Sequence, residues 1–212
     1  MRFDILRTLL LIPGILVAFT FHEYAHAYVA DRLGDKTPRF QGRLTFNPLV
    51  HIDPIGFLMI LIVGFGWAKP VQVNPSAFKN YYKDDLKVSL AGPVANLIVA
   101  LLSAIFLNIL FRFVASNADY SSIQLIILGI LELSVSINCT LFVLNLIPIP
   151  GFDGFHILRD LFPKFFYSFA EQVYKYQFII MILFIATPLA RIIIREPASF
   201  ISSLIYKIVD FI

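Results

Sequence analysis

Charge is scarce in this sequence. Asp, Glu, Lys and Arg make up 15% of its 212 residues, against roughly 25% in a soluble domain. With 58% hydrophobic residues and a mean hydropathy of +0.80, a water-soluble globule is excluded and an integral membrane protein is indicated. The basic residues are spread over loops, and the net charge is only +3. No basic stripe exists to hold a phosphate backbone, so nucleic acid is not an expected partner. One cysteine, Cys139, leaves no internal disulfide to form, and its apolar neighbours suggest a buried, inert thiol. The first apolar run is followed by no small-residue cleavage site, so no removable signal peptide is expected.

Long apolar runs are what the sequence has instead. A helix crossing the hydrocarbon core takes about 20 apolar residues. Runs 8–30, 88–111, 123–147 and 176–194 reach that length, and 198–212 is a shorter candidate for a partial span or interfacial helix. The stretch 55–67, IGFLMILIVGFGW, is too short to cross alone and suggests a re-entrant or short helix. Around it, segment 31–87 is broken by Pro38, Pro48, Pro54, Pro70 and Pro75. Within that segment WAKPVQVNP alternates as a short edge strand would. The predicted fold is an all-α polytopic membrane protein with four to six transmembrane or re-entrant helices. A short β-strand or hairpin is expected near 67–75, and residues 1–212 are expected to form one membrane-embedded domain.

Lys and Arg in the loops set the expected orientation. If 55–67 does not cross, loops 31–87 and 148–175 share one side and hold eleven basic residues, against five on the other. The richer side is normally cytoplasmic, which predicts a multi-pass cell-membrane protein whose chemistry opens toward the cytoplasm.

The chemistry lies at His22-Glu23-Tyr24-Ala25-His26. Histidines four apart project from one helix face, so both imidazoles can reach one metal, and Glu23 beside them can act as general base toward water. Three ionisable groups within five positions of an apolar helix are costly in lipid unless a metal or partners satisfy them. A rise of about 1.5 Å per residue puts His22 roughly 12 Å from the end of that helix, inside the bilayer but near one face. Catalytic zinc needs a third protein ligand, and His51, Glu132, Asp153 and His156 are the candidates. Asp153 is favoured, because Pro148, Pro150, Gly151 and Gly154 break the preceding helix and bring a carboxylate to membrane depth. Glu132 lies well inside its span, toward the opposite face, and His51 and His156 lie in or near loops.

HEYAH on the first helix and NLIPIPGFDG after a later one together resemble the site-2 protease family of intramembrane zinc metalloproteases, peptidase family M50. The GWAKPVQVNP and AGPVANL segments are also similar to its small prokaryotic branch, which lacks PDZ and CBS domains. The resemblance implies one Zn2+ per chain held by His22, His26 and Asp153, with Glu23 as the catalytic base. It also implies that Asn145 acts on the scissile carbonyl or its oxyanion, and it sets Asn96 beside the site. Where many members carry a proline, this chain has Gly151.

The implied activity is hydrolysis of peptide bonds in or near the transmembrane segment of membrane-protein substrates, in contact with the lipid bilayer. WAKPVQVNP would hold an unwound substrate by strand addition. Two other readings stand beside it: a non-catalytic zinc-binding transporter or adaptor, and a membrane HExxH protease of the type that trims prenylated tails. The first has no use for Glu23. The second takes its third ligand from a downstream glutamate on a helix, a pattern not visible in this chain.

Overall fold

Uninterrupted apolar sequence becomes helix, and proline, glycine or a capping side chain ends it. The computed structural model describes residues 5–115 and 121–211; Arg2, counted in the charge balance, lies outside them. Among the described residues the helices are α1 (Ile5–Leu33), α2 (Thr37–Phe40), α3 (Pro48–His51), α4 (Pro54–Val63), α5 (Tyr81–Ala115), α6 (Ser122–Leu146), α7 (Asp153–Leu161), α8 (Pro163–Tyr167), α9 (Ala170–Lys175), α10 (Gln177–Ala186) and α11 (Pro188–Asp210). Of these, α1, α5 and α6 are long and apolar enough to cross a membrane.

Those three helices pack on one another, and small residues let their backbones approach. Ala18, Ala27, Ala30, Ala100 and Ala104 are all but fully buried. At Gly14 a side chain would lie 3.2 Å from Ser134 Cα, which is how closely α1 meets α6. Such contacts replace the hydrophobic drive that lipid cannot supply between helices. Side chains fix the register. Ser103 and Ser134 hydroxyls are 3.0 Å apart, and Asn96 Nδ2 donates to Asn138 Oδ1 at 3.0 Å, so α5 and α6 run antiparallel. His26 lies opposite Val88 and His22 opposite Asn96, so α1 and α5 are antiparallel too. The chain therefore leaves α1 and re-enters α5 at the same end of the bundle. Helix α4, ten residues long, does not carry it across. Pro54 starts α4, Asp53 caps it by accepting from the Ile55 and Gly56 N–H groups, and Gly64 ends it at φ 79°.

Three expectations are corrected. No strand ladder or hairpin forms among the described residues; near 67–75 the backbone is extended, with one isolated antiparallel bridge between Ile52 and Ala68. Pro70 and Pro75 have no N–H to give a ladder. Lys69 N–H donates to His51 C=O at 2.9 Å within that single bridge, while the Val71 and Asn74 N–H groups go to side chains, Val71 to Glu23 and Asn74 to Asp35. The 176–194 run is not one continuous helix. Thr187 is extended (φ −94°, ψ 157°) ahead of Pro188, as a residue before proline favours. This splits the run into α10, ten residues long, and the start of α11. Helix α11 in turn absorbs 198–210, so a separate C-terminal helix is absent; residue 212 lies outside the described residues. Helix α11 packs on α5 and α6 around Ala100, Ala104, Val135, Cys139, Ala198, Ile205 and Val209.

Candidate metal centre

Histidine can offer either ring nitrogen to a metal, and the hydrogen bond made by the other nitrogen decides which. Asn96 Nδ2 donates to Ala18 C=O at 3.2 Å and to Asn138 Oδ1 at 3.0 Å. Its Oδ1 is therefore left as the acceptor for His22 Nδ1–H, 2.7 Å away. Asn138 is itself held through Ser134 C=O at 2.8 Å. His26 Nδ1–H donates to Val88 C=O at 2.7 Å. Both rings thus present Nε2 lone pairs, and the two Nε2 atoms are 3.0 Å apart.

The broken segment after α6 delivers the third group. Gly151 turns the chain at φ 97°, and α7 begins directly at Asp153. Gly154 sits so close to the end of α6 that a side chain would lie 2.5 Å from the Ile147 and Leu146 carbonyl oxygens. Asp153 Oδ2 lies 3.2 Å from His22 Nε2, and Oδ1 lies 3.3 Å from His26 Nε2. Helix α7 is anchored to α5 by a buried ion pair between Arg159 and Asp85, and Arg159 Nε also bonds Asp160 Oδ1 at 2.8 Å.

These residues fit a zinc ion. Ligand atoms about 2.0–2.1 Å from a shared tetrahedral ion lie about 3.3–3.4 Å apart, close to the spacings above. Asp153 Oδ2 is buried without a hydrogen-bond donor, so lone pairs and a carboxylate converge with no proton source among them. A cation satisfies that arrangement. Gly92 of α5 leaves room for it, since a Cβ there would lie 2.3 Å from His26 Nε2 and 2.7 Å from His22 Nε2. Gly92→Ala is expected to displace the two Nε2 atoms and weaken zinc binding by about 10–100-fold, with helicity unchanged by circular dichroism. Wild-type zinc content in that variant would contradict this geometry.

Glu23 lies outside the three-residue cluster but lines the same cavity, of about 520 Å³, with His22, His26, Val71, Asn145 and Asp153. Its Oε2 accepts from Val71 N–H at 2.8 Å. Asn145 is half-buried in the cavity wall, where its Nδ2 donates to Leu141 C=O one turn back at 3.0 Å. His51 is fully buried elsewhere, with Nε2 donating to Thr45 C=O at 2.8 Å, and burial pushes its imidazole below the usual histidine range. His156 lines the cavity on its exposed side, and Glu132 is on an exposed face of α6; none of the three joins the cluster. Gly92, Asn138 and the Val88 carbonyl escaped sequence reasoning. Only Asn138 carried a signal, being an amide within an apolar run.

The Peptidase family M50 profile matches residues 110–187, a stretch that includes Asn145 and Asp153. Putative zinc metalloprotease YwhC of Bacillus subtilis is 39% identical over 184 residues, covering 87% of this chain and 83% of that protein. The chain belongs to peptidase family M50. Putative zinc metalloprotease Rip2 of Mycolicibacterium smegmatis is 33% identical over 186 residues, covering 85% of this chain and 68% of its own length. Putative zinc metalloprotease MJ0611 of Methanocaldococcus jannaschii is 28% identical over 160 residues, with 74% and 73% covered. No solved structure matches the chain. Membership in M50 agrees with the resemblance carried by HEYAH and NLIPIPGFDG.

Proposed function

We propose that this chain is an intramembrane zinc metalloprotease of the site-2 type, cutting peptide bonds in or near the transmembrane segment of membrane-protein substrates. The observation that carries the reading is the convergence of His22 Nε2, His26 Nε2 and the Asp153 carboxylate in a cavity that Glu23 and Asn145 also line. Family membership and the names of the relatives agree with it. His22, His26 and Asp153 are the proposed ligands of one zinc ion, which when bound supplies Lewis-acid polarisation of a carbonyl and acidifies water. Glu23 takes the proton of the attacking water and passes it to the leaving amine. Asn145 Nδ2, with one N–H free of Leu141, donates to the carbonyl oxygen as negative charge develops there.

The extended 65–74 segment edges the cavity through Gly66, Val71 and Val73. The Gln72 and Val73 N–H groups donate to no described residue, so an unwound substrate can add alongside them without a preformed strand. The prenyl-tail reading finds no support in this arrangement, since the third group beside the two histidines is Asp153 on α7 rather than a downstream glutamate.

Metal removal tests the reading. Purified protein in detergent, given a transmembrane peptide substrate, is expected to stop cleaving after treatment with a zinc chelator and to recover with one added zinc per chain. Undiminished cleavage by metal-free protein would refute it. For orientation, α1 ends, α5 begins and α6 ends at one end of the bundle, the end that carries the basic loops, and we place it in the cytoplasm. A reporter fused after residue 45 is expected to read as cytoplasmic; an extracytoplasmic signal would reverse the assignment.

A further inference from the structure

Arg43 lies outside the metal cluster and beyond the HEYAH helix, yet it is only 3% exposed. A buried guanidinium is costly unless its charge and most of its donors are met. Here Nη1 donates to Val50 C=O at the end of α3, and Nη2 donates to Lys69 C=O in the extended segment, while the buried Nε has no partner among the described residues. Nη2 also lies 3.8 Å from Glu23 Oε2. That same Oε2 accepts from Val71 N–H at 2.8 Å, while Oε1 accepts from no described residue. Around this point the α3 loop and the extended segment are pinned once more by the isolated Ile52–Ala68 bridge, in which Lys69 N–H donates to His51 C=O at 2.9 Å.

We infer that Arg43 is a positioning residue for peptide hydrolysis. It ties the 65–74 segment to the α3 loop and holds the Oε2 side of Glu23, so that Oε1 is the oxygen turned into the metal cavity. The inference rests on Glu23 acting as the base. A glutamate's terminal torsion is broad and roughly two-fold, so an unheld carboxylate presents either oxygen in a range of directions. Fixing one oxygen from inside the protein leaves the other at a set place and angle. The planar fork of arginine can hold two carbonyls on separate segments at once. Lysine, a point charge on a flexible stem, keeps the positive charge but not the fork.

The test compares Arg43→Gln and Arg43→Lys with wild type in the full-length, zinc-loaded chain, using a transmembrane peptide substrate. Zinc content and KM are expected to stay near wild type. A misplacement of the base by about 1 Å costs on the order of 100-fold, so kcat is expected to fall by that much in Arg43→Gln and by less in Arg43→Lys. A second readout is independent of turnover. Amide hydrogen exchange over 68–73 is expected to quicken in both variants, with or without zinc, because the segment loses its anchor. Unchanged kcat in Arg43→Gln, a loss of kcat that tracks loss of zinc, or unchanged exchange over 68–73 would each overturn the inference. If Arg43→Gln fails to fold, Arg43→Lys is judged by the same three readouts. Absence of cleavage by wild type would instead refute the protease reading, and the exchange measurement would still decide whether Arg43 anchors the segment.

Discussion

Glu23→Gln is expected to keep its zinc and to lose cleavage, by about 10²–10⁴-fold if only the general base is removed. Zinc should stay because Glu23 is not among the three groups that converge, which are His22, His26 and Asp153. The fold should stay because glutamine retains an oxygen for Val71 N–H, the bond that Glu23 Oε2 accepts at 2.8 Å. Arg43 Nη2, 3.8 Å from that oxygen, favours the same orientation. The glutamine amide then turns its NH2 into the cavity, where it can donate a hydrogen bond but cannot take a proton. Binding of substrate and metal is thus separated from chemistry. Metal analysis of the purified variant, together with mass spectrometry of membrane-protein fragments after co-expression with wild type or variant, reads both halves. Wild-type turnover by Glu23→Gln would refute its assignment as base, whereas loss of zinc would make Glu23 part of the metal centre.

Much of this centre was legible in the sequence because its parts obey local rules. Two histidines four apart on a helix share a face, and the structure puts their Nε2 atoms 3.0 Å apart. Helix breakers between Pro148 and Gly154 announced irregular backbone at membrane depth, and that backbone brings Asp153 to the histidines. The rest depends on register between distant helices, which no local pattern encodes. Gly92 reads as an ordinary packing glycine until α5 is set against α1, where its missing side chain is the space the imidazoles occupy. Asn96 lay beside the site by resemblance alone; its bond to His22 Nδ1 follows from the antiparallel pairing of α1 and α5. The strand expected near 67–75 failed for a related reason. Alternation shows which side chains are half-buried, and Val71 and Val73 are half-buried while Gln72 and Asn74 are exposed. It does not show whether a partner strand exists, and the Glu23 and Asp35 side chains take N–H groups that a ladder would have used. The broken span at Thr187–Pro188 was within reach, since the residue before a proline disfavours helix. Apolar length outweighed that signal.

Asp153→Ala is expected to remove both zinc and cleavage, in contrast to Glu23→Gln. The carboxylate is the only anion among the converging groups, and its two oxygens stand 3.2 and 3.3 Å from the two Nε2 atoms. Without it a dication faces two neutral imidazoles, in surroundings where water compensates poorly for the lost charge. Altering groups that merely orient ligands typically costs 10–100-fold in metal affinity, so deleting a ligand is expected to cost more than about 100-fold. Relaxation of the backbone offers little relief. Helix α7 is held to α5 through Arg159 and Asp85, and Gly154 is packed against the last turn of α6. His156, one turn further along α7, therefore has no easy route into the vacated position. Asp153→Asn sharpens the test, because it keeps the shape and one acceptor oxygen while removing the charge and the second acceptor. Zinc titration of wild type and both variants, with cleavage measured on the same samples, separates the contributions. Retention of wild-type zinc affinity and turnover by Asp153→Ala would mean that another residue is the third ligand, and His156, lining the same cavity, would be the first to substitute.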